Sequence, residues 1–318
     1  MTEVVVLGAT GQIGAALVPA LRARCGADAV LAVGHRRPPP PSLGDGPFAR
    51  VDVTDREAVR TLLSQHAPRA VYHLAALLSA VGEERPDVAW RVNMEGLRAV
   101  LDACREHEGV RLFWPSSIAV FGPDAPREQT PQDAPTRPTT MYGVTKVAGE
   151  LLAAYYRRRF GLDVRGLRFP GLVSSETVPG GGTTDYAVAI FHAALREGRY
   201  RCFVRADTVL PMVYMPDAVR AALELMDADA SALRHLAYNL GAMRFSAGEL
   251  ADAIAARVPG FACTYEPDFR QAIADGWPAT LDDAAARRDW GWREGFDLDA
   301  MVEDMLTRLR PSSTPPPA

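Results

Sequence analysis

Val4-Val5-Val6-Leu7-Gly8-Ala9-Thr10-Gly11-Gln12-Ile13-Gly14 is the stretch that decides the fold of this chain. Three valines and a leucine read as a short buried strand, and a helical pattern running through Leu21 starts among the glycines. A G-x-x-G-x-x-G spacing at such a strand-to-helix junction marks a dinucleotide-binding turn. Gly8 lets the chain turn tightly, Gly11 lets a pyrophosphate approach the backbone, and Gly14 lets the helix pack close to the sheet. The helix start then offers unpaired N–H groups to the anion.

Beyond this junction strands and helices alternate. A second strand is expected over 29–33, and a third ends at Asp52-Val53. Helix 55–65, a strand over 70–74, a long helix over 87–105 and a strand over 110–114 follow. A helix over 142–159 and a strand over 164–168 complete the series. Such alternation predicts an α/β fold, a Rossmann-type doubly wound parallel sheet with helices on both faces. After about residue 170 the pattern changes to a Gly-rich stretch over 178–182, a helix over 185–197 and mixed short elements, with helices over 217–226 and 246–258. The expected organisation is a dinucleotide-binding domain over 1–170 and a smaller mixed α/β C-terminal substrate lobe over 171–310. Segments near 200–240 are expected to return to the sheet, and the Pro- and Ser-rich tail 311–318 to be disordered.

Composition removes several function classes. The 318 residues carry 35 basic and 39 acidic side chains, a net charge of −4, with one basic triplet at Arg157-Arg158-Arg159. That balance argues against nucleic acid as a partner. Cys25, Cys104, Cys202 and Cys263 are scattered without a C-x-x-C pair, so no metal site is expected and the thiols read as reduced. No apolar run is long enough to span a bilayer and no signal-like N-terminus precedes the first strand, so the expected address is the cytoplasm. One count stands apart: of the 35 basic residues, a single one, Lys146, is lysine.

The end of the second strand, where an acidic residue commonly accepts from the adenosine ribose, reads Gly34-His35-Arg36-Arg37. Arg36 is therefore placed at the cofactor and can tolerate a 2′-phosphate, while the bland reading leaves both arginines solvated at a loop edge. Asp52 and Val53 are placed at the adenine. Tyr142 and Lys146 stand four apart on one helix face. An ammonium beside a phenol favours the phenolate, which can then take a proton from an alcohol as hydride leaves the same carbon. Ser117, just after a strand, can donate to the oxygen that becomes a carbonyl. Taken singly these residues have ordinary readings: a surface tyrosine, a solvated lysine, a capping serine. Together with the glycine turn they read as an oxidoreductase site.

Gly8-Ala9-Thr10-Gly11-Gln12-Ile13-Gly14, His73-Leu74-Ala75-Ala76, Ser116-Ser117-x-x-Val120-Phe121-Gly122 and Tyr142-Gly143-x-x-Lys146 resemble the motifs of the extended short-chain dehydrogenase/reductases. Narrower stretches, among them Leu77-Leu78-Ser79-Ala80 and Pro179-Gly180-Gly181-Gly182-Thr183-Thr184-Asp185-Tyr186, resemble the non-zinc L-threonine 3-dehydrogenases within that group. The resemblance implies NAD as cofactor, L-threonine as substrate, Tyr142 as base, Lys146 as its electrostatic partner and Ser117 as donor. It places Leu74, Ala75, Ala76 and Asn93 along the cofactor and Pro170 and Leu172 at the nicotinamide. Ser79, Gly180 and Thr184 would hold the amino-acid end, with Trp277 closing the pocket and the loop 178–184 moving as a lid. It also implies a homodimer through the helices near 87–105 and 142–159, and a downstream CoA-dependent 2-amino-3-oxobutanoate ligase. A nucleotide-sugar epimerase or dehydratase is the competing enzyme reading, and a non-catalytic nucleotide-binding scaffold the competing class.

Overall fold

Val4–Leu7 (β1) is buried on both faces, as a central parallel strand must be, and opens a computed structural model that describes residues 2–310. Gln12–Cys25 (α1), Val30–Gly34 (β2), Phe48–Arg50 (β3), Arg56–His66 (α2) and Ala70–His73 (β4) follow. The third strand stops at Arg50, ahead of Asp52, because the Asp52 carboxylate accepts from the N–H and hydroxyl of Thr54 and turns the chain. Ser79–Glu84 (α3) is short. Pro86–Trp90 (α4) and Gly96–Cys104 (α5) then continue one another through a π-helical turn at Arg91–Glu95, where one long helix was expected.

Arg111–Phe113 (β5), Ser116–Ser117 (β6), Met141–Phe160 (α6), Asp163–Phe169 (β7) and Gly171–Val173 (β8) lead into the C-terminal part. Its elements include Tyr186–Glu197 (α7), Arg199–Cys202 (β9), Val209–Tyr214 (β10), Met215–Asp227 (α8), Ala237–Asn239 (β11), Met243–Ser246 (β12) and Ala262–Tyr265 (β13). The main sheet runs β11-β7-β5-β4-β1-β2-β3, all parallel, with β6 beside β7. The chain builds from β1 through β2 to β3, then crosses back to β4, so the winding reverses between β1 and β4. Ligands of such sheets bind outside the strand C-termini at that reversal. β11 pairs with β7, so the chain re-enters the main sheet after β10 has paired with β8 and β12 in a smaller one. The tail 311–318 lies outside the described residues.

Leu17, Val18 and Leu21 of α1 pack with Val219, Ala222 and Leu225 of α8 on one face of the sheet. Val59 and Leu63 of α2, Leu97 and Val100 of α5 and Ala153 of α6 cover the other. A separate core around Tyr186, Phe191, Met212 and Phe245 holds the C-terminal part together. All four cysteines are free thiols.

α6 is the helix that matters most for the site. Thr140 caps its start, accepting from the Gly143 N–H at 3.1 Å, and Gly161 ends it with φ of 70°. Its approach to the sheet depends on Gly149, where an added Cβ would lie 2.4 Å from the Trp114 ring. A tryptophan after β5 and a glycine on α6 thus fix how close Tyr142 and Lys146 sit to the strand ends.

Candidate active site

The glycine turn is built as its spacing predicts. Gly8 has φ of +86°, and a Cβ there would meet the Ala75 backbone N at 2.6 Å. At Gly14 a Cβ would meet Ala9 and Gly8 backbone atoms at 2.6 Å, so α1 rests directly on the turn. Gly11 differs: its nearest neighbour would be the Gly8 carbonyl oxygen at 3.3 Å, which leaves the space above the backbone free. No side chain caps α1, and the Gln12 Nε2 is buried without a partner. A free cradle, an uncapped helix start and an orphaned amide donor together fit a dinucleotide pyrophosphate.

The adenosine end is unusual. A Cβ at Gly34 would lie 2.8 Å from the Phe48 ring and 3.0 Å from the Thr10 methyl, so an acidic side chain here would require the Phe48 ring to shift. Asp52 lies beyond it and is held by Thr54, with His35 Nε2 3.6 Å from its carboxylate. Its pKa falls below the ordinary carboxylate value: burial pushes it up, but the Thr54 hydrogen bonds and the positive charge of His35 and Arg91 outweigh that. Arg36 is exposed and Val53 is buried behind Asp52, against Gly96 of α5.

Ser117, Tyr142 and Lys146 meet in one cleft at the strand C-termini. Gln12, Ile13, Leu74, Ala76, Pro170 and Leu172 line its nucleotide side, and Ser79, Thr184 and Trp277 its other side. The enclosed part measures about 120 Å³. Both Tyr142 and Ser117 line the cleft, and the Ser117 hydroxyl accepts from the Ala119 N–H at 3.2 Å. Lys146 donates from Nζ to the Pro115 carbonyl at 2.5 Å and lies 4.7 Å from the Trp114 ring centroid and 5.4 Å from that of Tyr142.

The electrostatics differ from the simple expectation of a lysine-lowered phenol. Burial pushes the Tyr142 phenol up to about 12, the Ser117 hydroxyl pulling the other way. Burial likewise pushes the Lys146 ammonium down to about 7, against the opposing pull of Glu150. Desolvation outweighs pair attraction here because each charge must be carried in a nearly dry site. His73 at the end of β4 is driven to about 3 by burial and by the Lys146 charge, and so is neutral.

Asn93, Ala75 and Gly180, expected at the site, are not among the residues lining the cleft. Asn93, on the π-helical turn, accepts from the Leu77 N–H at 2.8 Å and donates to the Leu77 carbonyl and to Thr145. It braces the loop after β4. Ala75 packs beneath Gly8. Gly180 is exposed, two residues ahead of Gly182, Thr183, Thr184 and Asp185, which do line the cleft. Ser79 lies within hydrogen-bonding distance of the Thr183 hydroxyl, at 2.9 Å, and accepts from the Thr183 N–H, so this loop is pinned onto α3. Sequence reading missed Thr183 and Asp185 because it treated 178–184 as one flexible stretch, although the Thr183-Thr184-Asp185 run was the available signal.

Comparison with known proteins agrees with this geometry. Residues 4–241 match the NAD dependent epimerase/dehydratase family. The chain belongs to this family. Over 305 residues it is 47% identical to the L-threonine 3-dehydrogenase, mitochondrial, of Bos taurus, covering 96% of this chain and 82% of the relative. The holo form of a GalE-like L-threonine dehydrogenase from Cupriavidus necator superposes with a TM-score of 0.92 at 47% identity, covering 97% of this chain and 100% of that one. A nucleoside-diphosphate-sugar epimerase from Agrobacterium tumefaciens shares the fold, with a TM-score of 0.84, 22% identity and coverage of 96% and 94%. The parallel sheet, together with this family membership, implies an NAD(H)-binding cofactor site.

A buried lysine with a lowered pKa leaves a thermodynamic mark. Between the folded value of about 7 and the ordinary value of 10.5, the unfolded chain holds the proton that the folded chain lacks. Lys146 therefore makes stability rise with pH across that window, by up to about 1.4 kcal/mol per pH unit. Urea titrations at pH 7 and pH 9.5 should show wild type gaining on Lys146→Met over that interval. An unchanged difference would mean that the ammonium is not desolvated.

Proposed function

We propose that this chain is an NAD-dependent L-threonine 3-dehydrogenase that oxidises the β-hydroxyl of L-threonine to give 2-amino-3-oxobutanoate. The observation that carries this reading is the single cleft in which Ser117, Tyr142 and Lys146 stand between the nucleotide turn and the Ser79–Thr183 contact. Support comes also from relatives that bear this activity in their names across nearly the whole chain.

In this reading Gly8, Gly11, Gln12, Ile13 and Gly14 hold the pyrophosphate, and Arg36, Asp52 and Val53 border the adenosine. Leu74, Ala75, Ala76, Pro170 and Leu172 line the way to the nicotinamide, with Asn93 bracing the loop. When bound, the oxidised nicotinamide supplies the hydride acceptor and a positive charge in the cleft. Tyr142 accepts the proton of the β-hydroxyl, and Ser117 donates to that same oxygen as it becomes a carbonyl. Burial keeps the free phenol protonated, so little of the basic phenolate is present, and a positive charge bound nearby would favour it. Lys146 supports the phenolate and lies within reach of the ribose side of the cleft. Ser79, Gly180, Thr184 and Trp277 serve the amino-acid end. Residues 1–170 act as the nucleotide-binding part and 171–310 as the substrate lobe, and the enzyme works in the cytoplasm. A CoA-dependent 2-amino-3-oxobutanoate ligase consumes its product.

An exposed apolar face supports a homodimer. Trp90 of α4 and Val144, Leu151, Tyr155 and Phe160 of α6 are large apolar side chains left in solvent. Two such helix pairs can bury one another in a four-helix contact about a two-fold axis.

Three measurements test this reading. Tyr142→Phe should lower threonine-dependent NADH formation by about 10²–10⁴ while NADH binding, followed by fluorescence, survives. Near-normal turnover would remove Tyr142 from the chemistry. Because no carboxylate at position 34 repels a 2′-phosphate, NADP⁺ should support turnover with kcat/KM within about 100-fold of NAD⁺. A much wider gap would show that the ribose is discriminated elsewhere. Light scattering after gel filtration should give a dimer for wild type and a monomer for Leu151→Glu, whose side chain is 68% exposed in the lone chain.

A further inference from the structure

An amino acid brings a positive charge as well as a negative one into the cleft, and the threonine reading leaves the positive one without a partner. The described lining of the cleft contains one cationic side chain, Lys146, and one carboxylate, Asp185, but no arginine, although the chain has 34. Lys146 is committed to the Pro115 carbonyl beneath Tyr142. A substrate ammonium buried here without a counter-charge would cost several kcal/mol.

Asp185 is suited to the task by its surroundings. It is only 8% exposed, yet it faces no cation among the described ion pairs. One oxygen, Oδ2, accepts from the Gly181 N–H at 2.7 Å and the Gly182 N–H at 2.9 Å. These bonds orient the carboxylate and fold the loop that Ser79 pins through Thr183. The other oxygen has no protein partner among the described hydrogen bonds, and it is not closed off from the cleft as a buried orphan would be. A Cβ added at Gly182 would lie 2.9 Å from it, so glycine keeps the approach open.

We propose that Asp185 is the counter-ion of the substrate α-ammonium, and that it selects amino acids over the corresponding carboxylic acids. The proposal rests on the threonine reading and adds to it the group that recognises the amine. The α-carboxylate is left to the hydroxyls of Ser79, Thr183 and Thr184. Because the same carboxylate ties down Gly181 and Gly182, occupation by an ammonium also steadies the loop over the substrate.

The test compares L-2-aminobutyrate with butyrate, which differ only in the ammonium, by calorimetric titration of the NAD⁺-saturated protein. Wild type should bind the amine-bearing ligand at least about tenfold more tightly. In Asp185→Asn, which keeps an oxygen for the two glycine N–H groups, the two affinities should come within about threefold of each other. The threonine KM should rise about tenfold or more with a smaller change in kcat. A purely structural role would weaken both ligands together and leave their ratio intact, which overturns the proposal. Should Asp185→Asn fail to fold, equal affinities in wild type overturn it as well. Absence of threonine-dependent NADH formation in wild type is a separate result and sinks the activity itself.

Discussion

One buried ammonium organises the reactive end of this protein. Lys146 is 3% exposed, and placing a charge that deep costs several kcal/mol before any compensation. The compensation is partial. One carbonyl accepts from it, the Trp114 ring faces it, and Glu150 stands one helical turn further along α6. Glu150 is itself committed elsewhere: Arg168 grips both of its oxygens at 2.8 and 2.9 Å, and the Ser116 hydroxyl donates to it at 2.5 Å. Burial lowers the lysine pKa, and Glu150 opposes that only in part. The cleft is thus left poised, with a phenol reluctant to lose its proton and an ammonium ready to give one up.

This arrangement also explains why lysine occurs once in a chain that otherwise uses arginine. Gly149 brings α6 so close to Trp114 that the space beneath Tyr142 admits a compact ammonium on a thin stem. A planar guanidinium needs more room and up to five acceptors, and Pro115 offers one. Arginine appears instead where several acceptors converge. Arg165 donates to Asp163 and to three carbonyls at the C-terminal end of α8, and Arg168 meets Glu150, Gln132 and Asn239.

Much of this was legible in the order of residues. The glycine turn, the alternating strands and the Tyr142–Lys146 spacing each follow from local chemistry: backbone sterics, apolar period and helix geometry. The π-helical turn at Arg91–Glu95 was not legible, because the apolar pattern runs through it and its cause is a distant one, the Asn93 amide reaching Leu77 and Thr145. The electrostatics were misjudged for the same reason. Spacing on a helix says that two groups are neighbours, whereas their pKa values depend on how much water the whole fold removes. The loop 178–184 was read as a glycine-rich lid with Gly180 and Thr184 toward the substrate, and Asp185 was given no role. Its shape comes from Asp185 and from Ser79, 104 residues before Thr183 in the chain.

The two ends of the cleft are built on different principles. The nucleotide side relies on backbone: a positive-φ glycine, helix N–H groups and close approach of α1, all of which tolerate wide change in the surrounding side chains. The position where a ribose carboxylate is common is Gly34, packed against Phe48 and Thr10. The substrate side relies on a few side chains whose charges cannot be exchanged without leaving another charge buried and unpaired. A fold with a backbone-built cofactor site and a side-chain-built substrate site changes specificity by changing the second, and the loop from Gly180 to Asp185 is where this chain has the fewest groups carrying the most of it.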